Sequence, residues 1–412
     1  MGSMLRRSAD IAAAVALAAL TLLAACPAEA QVLPPSEPIA LAGGRVTVSG
    51  DVSASLAPED TGFFNYTDYE HSALRLFRAD LAGAFTINRH VSLLAELRDE
   101  NIETFGAYAF YIRIRPWADH QFDIQAGRVP PVFGAFARRS YASDNPLIGY
   151  PLAYQYLTAL RPDSLPWNAD DLLRMRGRGW ATAFSIGDTT PNEGVPLVTA
   201  FRWDTGVQLH AASGIFDGTV AVTTGTLSNP RLTDDNSAPQ VAARLGVHPS
   251  AGLNIGVSGA RGPFVSSTAA RGAVGDGHDQ AFTQSALGAD VEYSSGYYLI
   301  RGETIWSEWK LPQIAAPFIS SPLRALSSYV EGRYKLRPGL YVAGRIDHLG
   351  FSDVTGSTGM QSWDAPVSRV EAGAGYSLQR NLLLKFSVQR NVRGGGRVTS
   401  ATYPSVQVVY WF

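Results

Sequence analysis

Beyond residue 44 the chain settles into one recurring pattern, about ten residues alternating apolar and polar followed by a turn, which reads as half-buried β-strand rather than helix. Residues 45–56 set Val46, Val48, Val52 and Leu56 on one face and Arg45, Thr47, Asp51 and Ser55 on the other. In 108–115, Phe110, Ile112 and Ile114 alternate with Tyr111, Arg113 and Arg115. In 367–378, Val370, Ala372 and Tyr376 oppose Arg369 and Glu371, and in 382–393, Leu382, Leu384, Phe386 and Val388 oppose Lys385, Ser387, Gln389 and Asn391. No long helical period appears after the N-terminal stretch.

The connections alternate in length. Short ones fall near 88–90, 116–120, 213–217, 249–252, 295–296, 337–339 and 379–381; longer polar ones lie between them, at 58–70, 229–239, 262–281, 311–323 and 350–366. Short turns on one side and long loops on the other are the plan of bacterial transmembrane barrels. Folding the strands about four of the short turns tests this. Around 88–90, Ile87, Phe85 and Leu81 fall opposite Val91, Leu93 and Leu97, with Asp80 opposite Arg98 and Arg78 opposite Glu100. Around 337–339 Glu331 meets Arg345; around 295–296 Asp290 meets Arg301 while Val291 faces Ile300; around 116–120 Arg113 meets Asp123. Opposite charges thus share one face and apolar groups the other, as cross-strand energetics prefer. A soluble β-sandwich also alternates, but about 380 residues of it would break into domains, and no linker or charge block divides this chain. Trp117, Tyr293, Tyr297, Tyr298, Tyr334, Tyr341, Tyr376 and Tyr410 gather beside the short turns, as an interfacial girdle requires.

The expected fold is all-β, a transmembrane antiparallel barrel occupying 44–412. Even strand numbers are the rule for bacterial barrels. With 178–187 assigned to an outer hairpin and a descending strand over 197–212, the count is 16; a strand hidden in 151–160 would make it 18. The large third extracellular loop, 128–197, holds eight prolines and a helix over 168–175 capped by Asn168. Its aromatic and aliphatic residues predict a packed loop, and its seven arginines (Arg128, Arg138, Arg139, Arg161, Arg174, Arg176, Arg178) exceed its six acids (Asp144, Asp163, Asp170, Asp171, Asp188, Glu193) by one. Inserted in a barrel, such a loop narrows the lumen, and arginine there favours anions. The same Arg–Asp pairs would equally serve to pin the loop to the wall.

The N-terminus supplies the address. Arg6 and Arg7 precede the apolar stretch 11–25, and Ala28-Glu29-Ala30 offers a small-x-small cleavage site, so residues 1–30 read as a signal peptide with Gln31 as the mature start; 31–43 would be a short periplasmic segment. The apolar stretch is too short to span a membrane as a helix. Leu23-Ala24-Ala25-Cys26 also fits a lipidation box, although cleavage after Ala30 is preferred. Cys26 is the chain's one cysteine, so the mature protein would have neither disulfide nor thiol chemistry. The formal net charge of −2 gives no sign of nucleic-acid binding.

Taken together, the chain resembles the outer-membrane porins of Gram-negative bacteria. The residues carrying the resemblance are the last strand, with Val406, Val408, Tyr410 and Phe412 on one face as in the signal read by the barrel-assembly machinery, the alternating strands, and the third loop, placed like the constriction loop of 16-stranded general-diffusion and phosphate-type porins. That resemblance implies a passive channel, often a homotrimer, surrounded by outer-membrane lipid and lipopolysaccharide. The lysine cluster of phosphate-type porins is absent. The expected function is diffusion of small hydrophilic solutes with a weak anion preference. Arg113, Arg115, Arg128, Arg138, Arg139, Asp144, Arg174, Arg176, Arg178, Arg345, Asp347, Arg369 and Glu371 would line or constrict the pore. The alternatives are a closed barrel acting as a structural or binding component and, less favoured, an outer-membrane enzyme. For the enzyme only the adjacent pair His71-Ser72 offers itself, with no oxyanion or metal partner. The seven histidines lack metal-ligand spacing, Asp234-Asp235-Asn236 lacks the further ligands calcium needs, and Arg393-Gly394-Gly395-Gly396-Arg397 joins two strands with no helix to hold phosphate. No cofactor, metal or catalytic residue is expected.

Overall fold

The computed structural model describes residues 35–66, 72–103, 105–117, 119–200, 203–231, 234–236, 238–276, 282–320 and 322–412. The expected signal peptide, Cys26 and Gln31, together with His71 and His278, lie outside the described residues. Within 36–412, the three-residue strand Ile39–Leu41 lies beside Val46–Val48 in one sheet with sixteen antiparallel strands, which close into a barrel. They are β1 (Val46–Leu56), β2 (Phe77–Asn88), β3 (Val91–Glu100), β4 (Gly106–Ile114), β5 (Gln121–Val129), β6 (Asp204–Ser213), β7 (Phe216–Thr223), β8 (Gln240–Ser250), β9 (Leu253–Pro263), β10 (Thr283–Ser295), β11 (Tyr298–Trp309), β12 (Leu323–Arg337), β13 (Leu340–Phe351), β14 (Val367–Gln379), β15 (Leu382–Arg393) and β16 (Ser400–Trp411). Closure runs through β16 against β1, from Asp51 opposite Trp411 to Leu56 opposite Val406. Residues 151–160 contain a single helical turn, Leu152–Gln155, not a strand, which removes the 18-strand alternative. No helix among the described residues is long and apolar enough to cross a membrane.

Each expected short turn is present, and the expected long connections lie at the other end. Two of the four tested registers hold: Asp80 faces Arg98 and Arg78 faces Glu100, and Glu331 faces Arg345. At the first of these turns a bulge between Thr86 and Asn88 sets Asn88, not Ile87, opposite Val91; the Asn88 carboxamide oxygen accepts from the His90 and Val91 amides at 2.8 and 3.0 Å. The other two registers slip by two residues. Arg301 faces Glu292, Ile300 faces Tyr293, and Asp290 faces Glu303, because the turn is built on Gly296 and Tyr297, with Gly296 at φ +54°. Arg113 faces Gln125 rather than Asp123. A two-residue slip preserves which face each side chain takes, so alternation alone could not detect it.

Two further expectations are corrected. Tyr341 is not in the aromatic girdle: it points into the barrel, 9 % exposed, and its hydroxyl donates to the Pro146 carbonyl at 3.0 Å. It fills the space above Gly375, where any Cβ would lie 2.2 Å from its ring. The strand after the third loop starts at Asp204 rather than 197, because Leu197, Val198 and Ala200 are buried in the loop core instead. Residues 178–187 do stay out of the barrel: Ile186–Gly187 pairs with Ser164–Leu165 inside the loop.

The apolar core of this protein is built largely by the long connections. Phe64 and Leu74 from 57–76, Phe133, Tyr154 and Leu172 from the third loop (130–203), Phe264 from 264–282, Ile319 from 310–322 and Trp363 from 352–366 pack in one cluster. Trp363, fully buried, stacks edge-on against Trp309 and Phe351. Within it helix Ala169–Arg174 starts as its sequence requires: the Asn168 side chain accepts from the Asp171 amide at 3.0 Å. Asn168→Ala should cost about 1 kcal/mol, read as a lower denaturant midpoint of the detergent-folded barrel. An unchanged midpoint would show that the helix is held by its packing alone.

Candidate functional site: a loop crossing a charged lumen

Alternation on the strands sends charged and amide side chains inward, and the third loop meets them almost group for group. On β2 the Arg78 guanidinium pairs with Glu100 at 2.8 Å and donates to the Ser140 carbonyl and the Tyr150 hydroxyl. On β3 Arg98 pairs with Asp80 and lies 3.5 Å from the centre of the Tyr108 ring, while Glu96 accepts from the Tyr141 hydroxyl at 2.6 Å. Across the barrel, Glu371 accepts from the Gly149 amide at 2.9 Å, Asp347 from the Leu152 amide at 2.5 Å, and Glu303 from both the Ala135 amide and the Tyr154 hydroxyl at 2.8 Å. Lys385 donates to the Ala142 carbonyl at 2.5 Å, and Arg369 to the carbonyls of Tyr150 and Phe64 at 2.7 Å. Backbone groups of an irregular loop need partners once water is excluded, and the wall supplies charged ones, which make the stronger bonds.

Between the loop and strands β7–β12 a polar cavity of about 170 Å³ remains. Its charged lining is Arg138 and Arg139 from the loop, Arg244, Arg301, Asp217, Asp290, Glu292 and Glu331 from the wall, and His248. Most of these are mutually paired: Arg139 with Glu292, Arg244 with Asp290, Arg301 with Glu292 at 2.9 Å and Glu331 at 3.7 Å, His248 with Asp217 at 2.6 Å. Arg138 differs. It is exposed, its Nε donates to the Pro131 carbonyl at 3.1 Å, and no carboxylate among the described residues pairs with it. Among the paired groups neither sign stands in front: Arg139 is 31 % exposed, but Glu292 and Asp217 at 19 and 20 % are more open than Arg301 and Arg244 at 16 and 12 %, so the bias toward cations rests on Arg138.

The sequence-selected residues divide into three groups. Arg138, Arg139 and the exposed Asp144 sit on the loop facing the cavity or beside it; the Asp144 carbonyl accepts from Arg301 at 3.2 Å. Arg113 faces the lumen near the short-turn end, half-buried, and Arg115 is exposed in the β4–β5 turn. Arg345, Asp347, Arg369 and Glu371 face inward as expected but are at most 2 % exposed; they hold the loop rather than line open space. Four expectations fail. Arg128 is opposite Phe110, itself 59 % exposed on the outer face, and reaches back to the carbonyls of Trp203 and Ala107. A bound arginine at a strand end satisfies its head group that way. Arg174, Arg176 and Arg178 belong to the loop cap. Arg174 pairs with Asp171 at 2.7 Å, Arg176 donates to the carbonyl and hydroxyl of Ser362 at 2.9 Å, and Arg178 is exposed, all away from the cavity lining.

Residues not singled out beforehand do much of the binding. Lys385, Glu303, Arg244, Glu292 and Asp51 were legible only as inward-facing polar positions. Asp364, in the 352–366 connection, gathers the amides of Ala159, Gly177 and Ala365 at 2.7–2.8 Å; its burial pushes the carboxyl above its ordinary range, against those three amides. Among the described residues no three His, Cys, Asp or Glu side chains are placed to hold a metal ion. On the last strand Val406, Val408 and Tyr410 face outward, and Phe412 bonds Gly50 through both backbone groups at 3.0 Å, its ring where a Gly50 Cβ would lie within 2.5 Å.

No protein-family model matches this chain, and no curated protein matches it in sequence. Solved structures do match it in fold. An anion-selective porin from Comamonas acidovorans superposes with a TM-score of 0.53 at 10 % identity, over 89 % of this chain and 99 % of that one. OmpF of Salmonella typhi, in complex with daunomycin, gives 0.51 at 12 % identity, over 91 % and 100 %. The outer membrane channel DcaP of Acinetobacter baumannii gives 0.51 at 10 %, over 89 % and 97 %. The architecture is therefore that of an outer-membrane β-barrel. More narrowly, it is porin-like: sixteen strands with the third loop folded into the lumen.

Proposed function

We propose that the protein is exported to the outer membrane, is inserted there by the assembly machinery through its Phe412-terminated strand, and acts as a narrow passive channel for small hydrophilic solutes. It carries out no reaction of its own. The observation that carries this reading is the polar cavity between loop and wall, to which Arg138 is exposed as an arginine with no carboxylate partner among the described residues. The ion pairs largely cancel, which leaves Arg138 to bias the field and supports a weak preference for anions. A porin of the same fold is described as anion-selective, and an outer membrane protein of Vibrio cholerae with this fold is described in a trimer form; we extend self-association to this chain.

A second reading has its own support. The wall charges are saturated by the loop, and the long connections close into an apolar core, so the barrel would be plugged at rest and act as a binding component. Planar-bilayer recording separates the two. The channel reading expects small, ohmic conductance steps and, across a potassium chloride gradient, a reversal potential displaced modestly toward the chloride potential. Folded protein that inserts yet never conducts would leave the plugged barrel standing.

A further inference from the structure

The run Arg393-Gly394-Gly395-Gly396-Arg397 has no helix behind it, yet the fold brings further arginines to it. Arg393, buried at the outer end of β15, donates to the carbonyls of Gly395, Gly62 and Val398 at 2.9–3.1 Å. Arg176 arrives from the third loop. Two of its nitrogens hold the carbonyl and hydroxyl of Ser362, and the remaining Nη1 faces Gly395, where a Cβ would lie 3.0 Å from it. Gly177 packs so closely on Gly396 that a Cβ on Gly177 would lie 3.0 Å from the Gly396 nitrogen. Arg178 follows the first of these glycines and Arg397 the second, so two exposed arginines flank one contact.

None of the four arginines has an ion-pair partner among the described residues. A carboxylate beneath them, Asp364, is fully buried and already bound to three amides. Four like charges gathered on one loop repel one another, and an anion seated among them relieves that repulsion. Beside the charges lies an apolar shelf. Gly62, whose carbonyl Arg393 holds, precedes Phe63, and the Phe63 ring stacks on Trp180 at 4.1 Å and 10°, with Tyr66 tilted against it at 4.7 Å. All three rings are half-buried. Phe63 is held at φ +53°, a costly conformation for a bulky residue and one that persists only where its surroundings enforce it.

We infer that this outer face captures phosphate esters of ring-bearing solutes, with the phosphate among Arg176, Arg178 and Arg397 and the ring on the shelf of Phe63, Tyr66 and Trp180. A carboxylate brings one charge and two oxygens, enough for a single guanidinium fork. A phosphate ester brings nearly two charges and three acceptor oxygens, which suits several cations at once. The source is solute rather than lipid. Gly395 and Gly396 lean onto Ala365 and Gly177 of the cap, so the patch lies over the mouth of the barrel and not on its lipid-facing wall. Capture depends on the channel reading only for where the solute goes next.

Calorimetric titration of the full chain, folded in detergent at low salt, reads the site directly. Glucose 6-phosphate should bind, inorganic phosphate more weakly, and glucose not at all. Replacing both exposed cations, Arg178→Gln with Arg397→Gln, should weaken glucose 6-phosphate about tenfold. Trp180→Ala should lower its affinity to that of inorganic phosphate. Arg174→Gln, on the same loop but paired with Asp171, should change nothing. Arg178 and Arg397 hold no other group in place, so the double variant should stay folded and heat-modifiable on gels. Wild-type protein that fails to bind glucose 6-phosphate, or a double variant that binds it equally well, overturns the inference. Binding that survives in phosphatidylcholine bilayers but is lost in bilayers rich in lipopolysaccharide assigns the site to lipid phosphate and overturns the soluble source. Protein that binds but never conducts overturns the channel and leaves the capture site; protein that conducts without binding does the reverse.

Discussion

Replacing Arg345 with leucine should cost about 3–5 kcal/mol, the usual penalty for removing one partner of a buried ion pair. The guanidinium is 2 % exposed and bridges two wall carboxylates, Glu371 at 2.7 Å and Glu331 at 3.2 Å. Without it Glu371 stays buried with no ion-pair partner, and Glu331 keeps only Arg301 at 3.7 Å. Glu371 also accepts from the Gly149 amide and the Ser387 hydroxyl, so the damage passes directly to the third loop. Arg345→Lys should recover only part of the loss, because an ammonium cannot span two carboxylates as the planar fork does. Urea titration of the detergent-folded barrel measures the first effect. Single-channel recording measures the second, as noisier current from a loop that has lost one anchor. A midpoint shift worth less than about 1 kcal/mol, the range of exposed pairs, would show that water reaches this cluster and that the loop is held elsewhere.

That cluster also marks how far the sequence could be read. Glu331 opposite Arg345 follows from strand alternation and the position of one turn, because both are local. The same holds for Arg78 with Glu100. What alternation cannot carry is contact between a loop and a wall far away in sequence. Asp347, Arg369 and Glu371 were legible as inward-facing, but that they bind Leu152, Tyr150 and Gly149 is fixed by the path of a loop with no period to follow. Arg174, Arg176 and Arg178 were misjudged for the same reason: their charge was visible, their place in the cap was not. Arg128 failed differently. The alternation in β5 was readable, with Phe122, Ile124 and Ala126 outward, and following it one step further would have put Arg128 on that face as well. The Arg301 and Arg113 registers slipped because a turn displaced by one residue leaves every side chain on its proper face.

The selectivity of the cavity turns on Arg138. Its charged lining holds four arginines (Arg138, Arg139, Arg244, Arg301) and four acids (Asp217, Asp290, Glu292, Glu331), so leaving aside His248, which sits on Asp217, the formal sum is zero and any preference depends on which charges a solute meets. Arg138→Glu moves that sum to −2 at the position most open to the cavity. Taking about 0.6 kcal/mol per unit charge at about 7 Å in water, the two-unit swing disfavours an anion by about 1.2 kcal/mol and favours a cation by as much, roughly a fiftyfold change in the anion-to-cation permeability ratio. Starting from a weak anion preference, the reversal potential in a salt gradient should therefore change sign, and raising the salt should shrink the difference as screening grows. Arg138→Gln keeps a donor for the Pro131 carbonyl while removing the charge, and should land between the two. This order, wild type then Gln then Glu, separates a field effect from a displaced loop, which would move the two variants together. A reversal potential unmoved by Arg138→Glu would place the conducting path away from this cavity, on the side of the loop that faces β2–β5.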